Sequence, residues 1–528
     1  MPRSVMQHSF AEVPHVGTPR STFNRSHGYK STFDADYLIP VLLDDMVPGD
    51  TFNVNMSFYA RLATPLFPIM DNMYLESFFF FVPYRLVWPN WVKMHGEQDD
   101  PGDSIDFTVP VITNGTIAEG DLGDYFGLPI GLATGTTTDI SALPFRAYRM
   151  IYDEWFRDQN LVDSKTFPTD DGPDTNAEVG FADVPLKRLK RHDYFTSCLP
   201  WPQKGTAVSL PLGTSAPIYS SAADGANLYV ADSQGSSTAQ LLDTDGSAGG
   251  HVLHDTTGAA SASTIFADLT NATAATINDL RLAFQTQRLL EMDARGGTRY
   301  NEMILVHFRV RVPDYRVQRP EFLGGGSTPI NVTAVAQTSA QTTPVANDQL
   351  GHLAAYGTVS DTHGFTYSAD EHGMLIGLVN VRADLTYSQG VERYWQKSTR
   401  YDFYYPVLSQ IGEQAVLRQE IWHDAAGTGN TNVFGYTERY NEMRYKPSRI
   451  TGLFRPDATG TLAAWHLSED FASAPTLNET FITADLSTPL DRAIQITTEP
   501  HIIFDAYFSM QCARPMPLYG VPGGLGRF

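Results

Sequence analysis

His251, His254 and Asp255 form an H-x-x-H-D pattern, a spacing that can bring two imidazoles and a carboxylate to one divalent cation. A metal site needs rigid ligands, and these three lie in a run of Ala, Ser, Thr, Gly and Asp with hardly a bulky side chain to hold them, so no metal is expected. Gly324-Gly325-Gly326-Ser327-Thr328 resembles a phosphate loop in its glycines but lacks the lysine that reaches the phosphates. The chain holds no G-x-x-x-x-G-K-[ST], G-x-S-x-G, H-E-x-x-H or C-x-x-C, and none of its fourteen histidines forms the His-x-His pair of a cupin-like strand. No catalytic residue and no cofactor are expected.

Contact with nucleic acid is the other chemistry the residues offer. Residues 1–30 carry Arg3, Arg20, Arg25 and Lys30 against the single acid Glu12, and they read as an extended arm that touches nucleic acid or threads along a neighbouring subunit. Lys187-Arg188-Leu189-Lys190-Arg191-His192 is the densest basic cluster, suited to phosphate or to acids of an adjacent subunit; solvated or interfacial use is the expectation. Between Arg393 and Tyr405, cations interleave with Tyr394, Trp395, Tyr401, Phe403 and Tyr404. That composition stacks unpaired bases, and it equally makes a wet subunit interface or a core edge, the preferred reading here. A net charge of −22 excludes a protein that neutralises phosphate over its whole surface, so any such contact is local or assisted by a basic partner.

The elements that must position these groups read as β-structure. From Thr51 to Leu62 the chain alternates, with Phe52, Val54, Met56, Phe58, Ala60 and Leu62 on one face. Met73 to Val82 carries four consecutive Phe, 78–81, and must be covered on both sides, by a sandwich core and by inserted segments or a neighbour. Further strand-like segments at 374–387 and 501–511 lie far apart, with Gly- and Pro-rich sequence between them, which predicts one large all-β sandwich with long insertions. A short helix is expected at Trp91–Met94, and helices at Phe145–Gln159, after Thr276 up to Gly296-Gly297 with Leu280, Phe284 and Leu290 near one face, and over Arg299–Val310. From Arg514 to Phe528 the Pro- and Gly-rich tail is expected to be irregular. Two cysteines, Cys198 and Cys512, allow at most one disulfide, and MPRSVMQHSF lacks the apolar core of a secretion signal, so a protein kept in a reducing cytosol is expected. Charged residues at 18% and aromatics at 12% suggest surface committed to subunit contacts.

YARLATPLFPIMDNMYLESFFFFVPYRLVWPNWVKMHGE and STFDADYLIPVLLDDMVPGDTFNV closely resemble the major capsid proteins of gokushoviruses, the small circular single-stranded DNA bacteriophages of the Microviridae. The resemblance resumes at RLKRHDYFTSCLPWPQKGTAVSLPLG, RPEFLGGGSTPINV, FGYTERYNEMRYKPSRITG and ARPMPLYGVPGGLGRF, and lapses between about Thr214 and Ala275. It implies an eight-stranded antiparallel jelly roll with large loop insertions and a few short helices. It also implies a T=1 icosahedral shell built through pentamers around single-stranded DNA, with a small basic DNA-associated protein as partner. The chain would divide into an arm over 1–50, a jelly roll over 51–528 and an insertion over 207–290. That insertion would project at the threefold axis toward a host bacterial surface receptor, with Leu228, Tyr229, Leu241 and Leu242 among the few bulky residues to support it. Such a protein is a virion component assembled in the host bacterial cytoplasm. A secreted bacterial carbohydrate-binding or carbohydrate-cleaving β-sandwich is the alternative, for which no paired carboxylates can be picked out.

Overall fold

Which strands alternate in sequence and which are apolar throughout decides how the two large sheets are covered. Their strands are β1 (Ser21–Asn24), β2 (His27–Phe33), β3 (Ile39–Met46), β4 (Thr51–Leu62), β5 (Met73–Pro83), β6 (Glu321–Pro329), β7 (Asn331–Ala336), β8 (Leu353–Ser368), β9 (Gly373–Ala383) and β10 (Ile502–Arg514). This computed structural model describes residues 19–135, 138–208, 277–338 and 351–519, with the short segments 218–220, 228–230, 240–242, 252–254 and 265–267.

One sheet has six strands in the order β1-β10-β4-β8-β7, with β2 also paired to β10; the other has four, β6-β5-β9-β3. All these pairings are antiparallel. Strands from the start of the chain (β2, β3, β4, β5) lie beside strands from its later part (β10, β9, β8, β6), which is jelly-roll winding. Against an expected eight strands, the two sheets contain six and four, the short β1 and β7 being the additions beyond the jelly-roll order.

β4 and β10 bury every second residue, and the facing residues Asn53, Asn55, Ser57 and Asp505 are exposed, so the six-stranded sheet packs on its inner face. β5 and β9 are buried on both faces. Phe79 and Phe81 enter the core between the sheets with Phe52, Phe58 and Phe504, while Phe80 and Val82 point the other way into a second cluster with Trp88, Phe145, Tyr148 and Phe181. Inserted segments, rather than a neighbouring subunit, thus cover the outer side. The covering helix α1 (Leu143–Ile151), continued by a wider turn over Tyr152–Phe156, is fixed by a buried pair: Arg146 donates from Nε and Nη2 to Asp174 at 2.7 and 2.6 Å. A third cluster gathers Tyr194, Phe195, Cys198, Val416, Phe434 and Phe481.

Several expectations are corrected. Residues 21–46 are not an arm: β1 and β2 pair with β10, and β3 pairs with β9, because their apolar residues, Phe33, Ile39 and Val41 among them, complete the core. The tail does not begin irregularly at Arg514, which ends β10 and is held by the buried Asp50 at 2.7 Å; residues 515–519 are irregular and exposed, and 520–528 lie outside the described residues. Helix α2 (Ile277–Arg295) forms over the expected span, but Leu280 and Phe284 are exposed rather than a packing face; α3 (Tyr300–Phe308) forms where a helix is expected. Cys198 and Cys512 are both free and buried.

By chain contacts the protein divides into Met1–Pro202 with Thr298–Phe528, and a second unit Gln203–Gly297. Within the second unit, Ile218–Ser220 pairs with Ile265–Ala267, and Leu228–Val230, Gln240–Leu242 and Val252–His254 form a three-stranded sheet.

The glycine run resembling a phosphate loop is a strand, β6. Gly324 sits at a bulge with φ 152°, and a Cβ on Gly325 would lie 2.0 Å from the Ser77 carbonyl oxygen. A Cβ on Gly326 would lie 2.4 Å from the His363 ring, so the glycines serve close packing. Gly325→Ala is expected to destabilise the unassembled chain by about 1–3 kcal/mol through overpacking against backbone, read as a lower urea midpoint. An unchanged midpoint would show that the β5–β6 edge yields freely.

Candidate functional site

The basic cluster at 187–192 finds its partners within the chain. Glu76 is the one charged residue of β5 and is buried there, and a carboxylate so placed needs cationic partners. Its carboxylate accepts from Arg188, from Arg191 at 2.8 Å, from Arg382 at 3.0 Å and from the Ser327 hydroxyl at 3.2 Å. Burial pushes the Glu76 carboxyl up, but Arg188 together with Arg382 and Arg191 outweighs it and holds the group down at about 2. The Arg188 guanidinium also lies 4.7 Å from the Phe78 ring centroid, and Arg191 lies 4.6 Å from that of Tyr74. Lys190 pairs with Glu469 at 2.7 Å and Lys187 with Asp485 at 3.5 Å. Solvated or interfacial use is therefore corrected for most of this cluster, which ties its segment to the four-stranded sheet. The lone Glu76 amid MYLESFFFFVP was the signal for it.

His363 on β8 crosses between the sheets: Ser77 meets its Nδ1 at 2.7 Å, Thr328 its Nε2 at 3.0 Å, and Thr328 donates to Asp361 at 2.7 Å. Ser, His and Asp meet here without a cleft, since Ser77 and His363 are buried and the ring packs against Phe58 at 5.1 Å. Burial lowers the His363 pKa, with Asp361 opposing, so this neutral ring braces the sandwich. Among the described residues no group of three or more His, Cys, Asp or Glu could hold a metal ion. His251 and Asp255 lie outside the described residues.

The segment from Arg393 is exposed rather than a core edge. Short 3₁₀ turns over Arg393–Gln396, Arg400–Asp402 and Pro406–Gln410 present Trp395 (70% exposed), Tyr401, Phe403 and Val407 (84%). Tyr300, Phe308 and Tyr315 are a second exposed apolar group. Beside the first group, Tyr194, Tyr387, Tyr394, Trp395 and Tyr445 help line a cavity of about 580 Å³. In its wall, Glu420 accepts from Tyr194 at 2.9 Å and from Arg393 at 3.1 Å, and Tyr194 stacks on Tyr445 with centroids 6.0 Å apart. Glu392 is held down at about 2 by hydrogen bonds from Arg449 and, after the opposing effect of burial, from Lys446.

The other sequence candidates do not converge. Arg3 lies outside the described residues. Arg20 donates to Thr51 at 2.6 Å, Arg25 pairs with Asp44 at 2.5 Å, and Lys30 pairs with Asp505 at 2.7 Å, all three being exposed along β1 and β2. Backbone pairing sets Leu228 opposite Leu242 and Tyr229 opposite Leu241 in the second unit.

The family model for the capsid protein (F protein) matches residues 11–524. Capsid protein VP1 of Bdellovibrio phage phiMH2K is 45% identical, across 99% of this chain and 98% of that protein. Capsid protein VP1 of Chlamydia phage 1 is 41% identical, across 98% of each. For Spiroplasma virus 4 the corresponding protein is 34% identical, across 98% of this chain and 97% of its own length. The carbohydrate-binding alternative gives way to these matches, which run through both jelly-roll sheets and the insertion alike. The chain belongs to the phage capsid protein (F protein) family.

Proposed function

We propose that copies of this chain, through pentamers, close into a T=1 icosahedral shell around circular single-stranded DNA, and that the unit around 207–290 projects at the threefold axes to meet a receptor on the host bacterium. The chain is a structural virion component that assembles into a multi-subunit shell, as its family does. The observation that carries the finer reading is the exposed apolar surface. Tyr300 at 73%, Phe308 at 76% and Val407 at 84% exposed are large apolar side chains that a chain without a partner leaves uncovered. Tyr59, Ile503 and Tyr507, on the exposed face of β4 and β10, add to the apolar surface open to neighbouring copies. Assembly takes place in the host cytoplasm, where Cys198 and Cys512 stay reduced.

With a net charge of −22, the chain leaves most of the phosphate charge to a small basic partner. Arg3, Arg20, Arg25 and Lys30 supply a local share. The insertion, poor in large apolar residues, gains support when three copies meet at a symmetry axis, with Leu228, Tyr229, Leu241 and Leu242 at the base. Removing Gly235 to Gly258 is expected to leave particle yield and DNA content near wild type while adsorption to the host falls at least tenfold, counted as unadsorbed particles. Normal adsorption would move host attachment elsewhere; failure to form particles would make the insertion a structural clamp.

A further inference from the structure

We propose that the cavity beside Arg393–Lys397 seats one unpaired nucleotide of the enclosed strand, its base stacked on Trp395 beside the Tyr394 ring and its phosphate facing Lys397 and Arg455. The inference rests on the reading that the shell encloses single-stranded DNA, and it assigns that contact a place. At about 580 Å³ the cavity has the size of a small-ligand site. Its rings supply the stacking surface: Trp395 is 70% and Tyr394 64% exposed, set edge to face at 5.2 Å, so each offers a free face to a third ring.

Its charge runs against that of the chain. Arg393, Lys397, Lys446, Arg449 and Arg455 line it against Glu392, Glu420 and Glu442. Glu392 is consumed by Lys446 and Arg449, Glu420 by Arg393 and Tyr194, and Glu442 accepts from the Gln414 amide at 2.7 Å and remains the one acid of the lining without a cationic partner among the described residues. Lys397 and Arg455 make no ion pair among the described residues: the Lys397 ammonium lies 5.4 Å from the Phe403 ring centroid, and Arg455 donates to the Ser388 carbonyl at 3.3 Å. Two uncommitted cations beside two uncommitted rings match one phosphate and one base.

A purely aliphatic occupant would leave the two cations unmatched. An unpaired nucleotide uses both halves and needs no sequence preference, since every base has a stacking face.

The test uses the full unassembled chain, a labelled twelve-residue oligothymidylate and an abasic strand of equal length, read by fluorescence anisotropy across a salt series. Trp395→Ala is expected to weaken oligothymidylate binding about tenfold and abasic binding hardly at all, and Trp395→Phe to restore most of the loss. Lys397→Gln is expected to flatten the slope of log K against log salt by about 0.7, one phosphate on a single strand. Both positions are at the surface, and an unchanged thermal midpoint for each variant separates contact from folding. The proposal falls if both variants bind like wild type, if abasic and thymidylate strands lose equally with Trp395→Ala, or if the wild-type chain binds neither strand. Wild-type particles are assayed for DNA in parallel. DNA-filled particles beside any of those results overturn the cavity assignment alone, whereas particles without DNA overturn the reading beneath it.

Discussion

Replacing Glu76 by Gln is expected to destabilise the unassembled chain by about 3–5 kcal/mol, the cost of leaving buried cations without their counter-charge. Arg188, Arg191 and Arg382 converge on this one carboxylate, whose side chain is 6% exposed. Arg188 and Arg382, 14% and 15% exposed, have little access to water in place of the lost partner. The same group sets an acid limit on stability. Its pKa falls from 4.5 to about 2, so its contribution is fully present above about pH 4.5 and is lost as pH falls through about 2. Urea midpoints measured between pH 6 and pH 2 are expected to decline for the wild type through that window, with a shallower decline for Glu76→Gln. Equal midpoints at pH 6 would show that the three guanidinium groups find other partners and that the carboxylate is dispensable.

Phe58→Ala is expected to cost a similar 3–5 kcal/mol and to abolish particle formation. The ring is 4% exposed on the inner face of β4, stacked on Phe504 at 6.1 Å and met edge-on by His363 at 5.1 Å. Truncation would open a cavity at the point where β4, β8 and β10 face the second sheet, beside the His363 brace. Particle yield by sedimentation and unfolding of the unassembled chain measure the two effects separately. Particles at wild-type yield would place Phe58 at the periphery of what holds the shell together.

The sandwich was legible in the sequence wherever a strand has one wet face. β4 and β10 alternate because one side meets solvent, and their register follows from that pattern. The four-Phe run announced two covered faces, for a period-two element cannot hide adjacent rings in one core. Residues 21–46 were harder to read. β1 and β2 are polar edge strands whose pairing depends on β10, nearly 500 residues away, and no local pattern reports a partner at that distance.

For the sites, side-chain type was visible and commitment was not. Arg188 and Arg191 have the same composition as a phosphate-binding patch, and only tertiary structure brings Glu76, Glu469 and Asp384 to the segment and neutralises it. Conversely, the cations and rings after Arg393 read equally as core edge or open surface, and folding left Lys397 without an acidic partner among the described residues and Trp395 70% exposed. The glycines of β6 show the same division: sequence records that a Cβ is absent, while the 2.0 Å approach of the Ser77 carbonyl, a long-range packing fact, supplies the reason. Sequence by itself determined strand faces, family and the absence of the common catalytic motifs, because period and motif are local properties. Which charges cancel and which stay free was decided by tertiary structure alone, since pairing energy depends on distances between residues that the chain order does not relate.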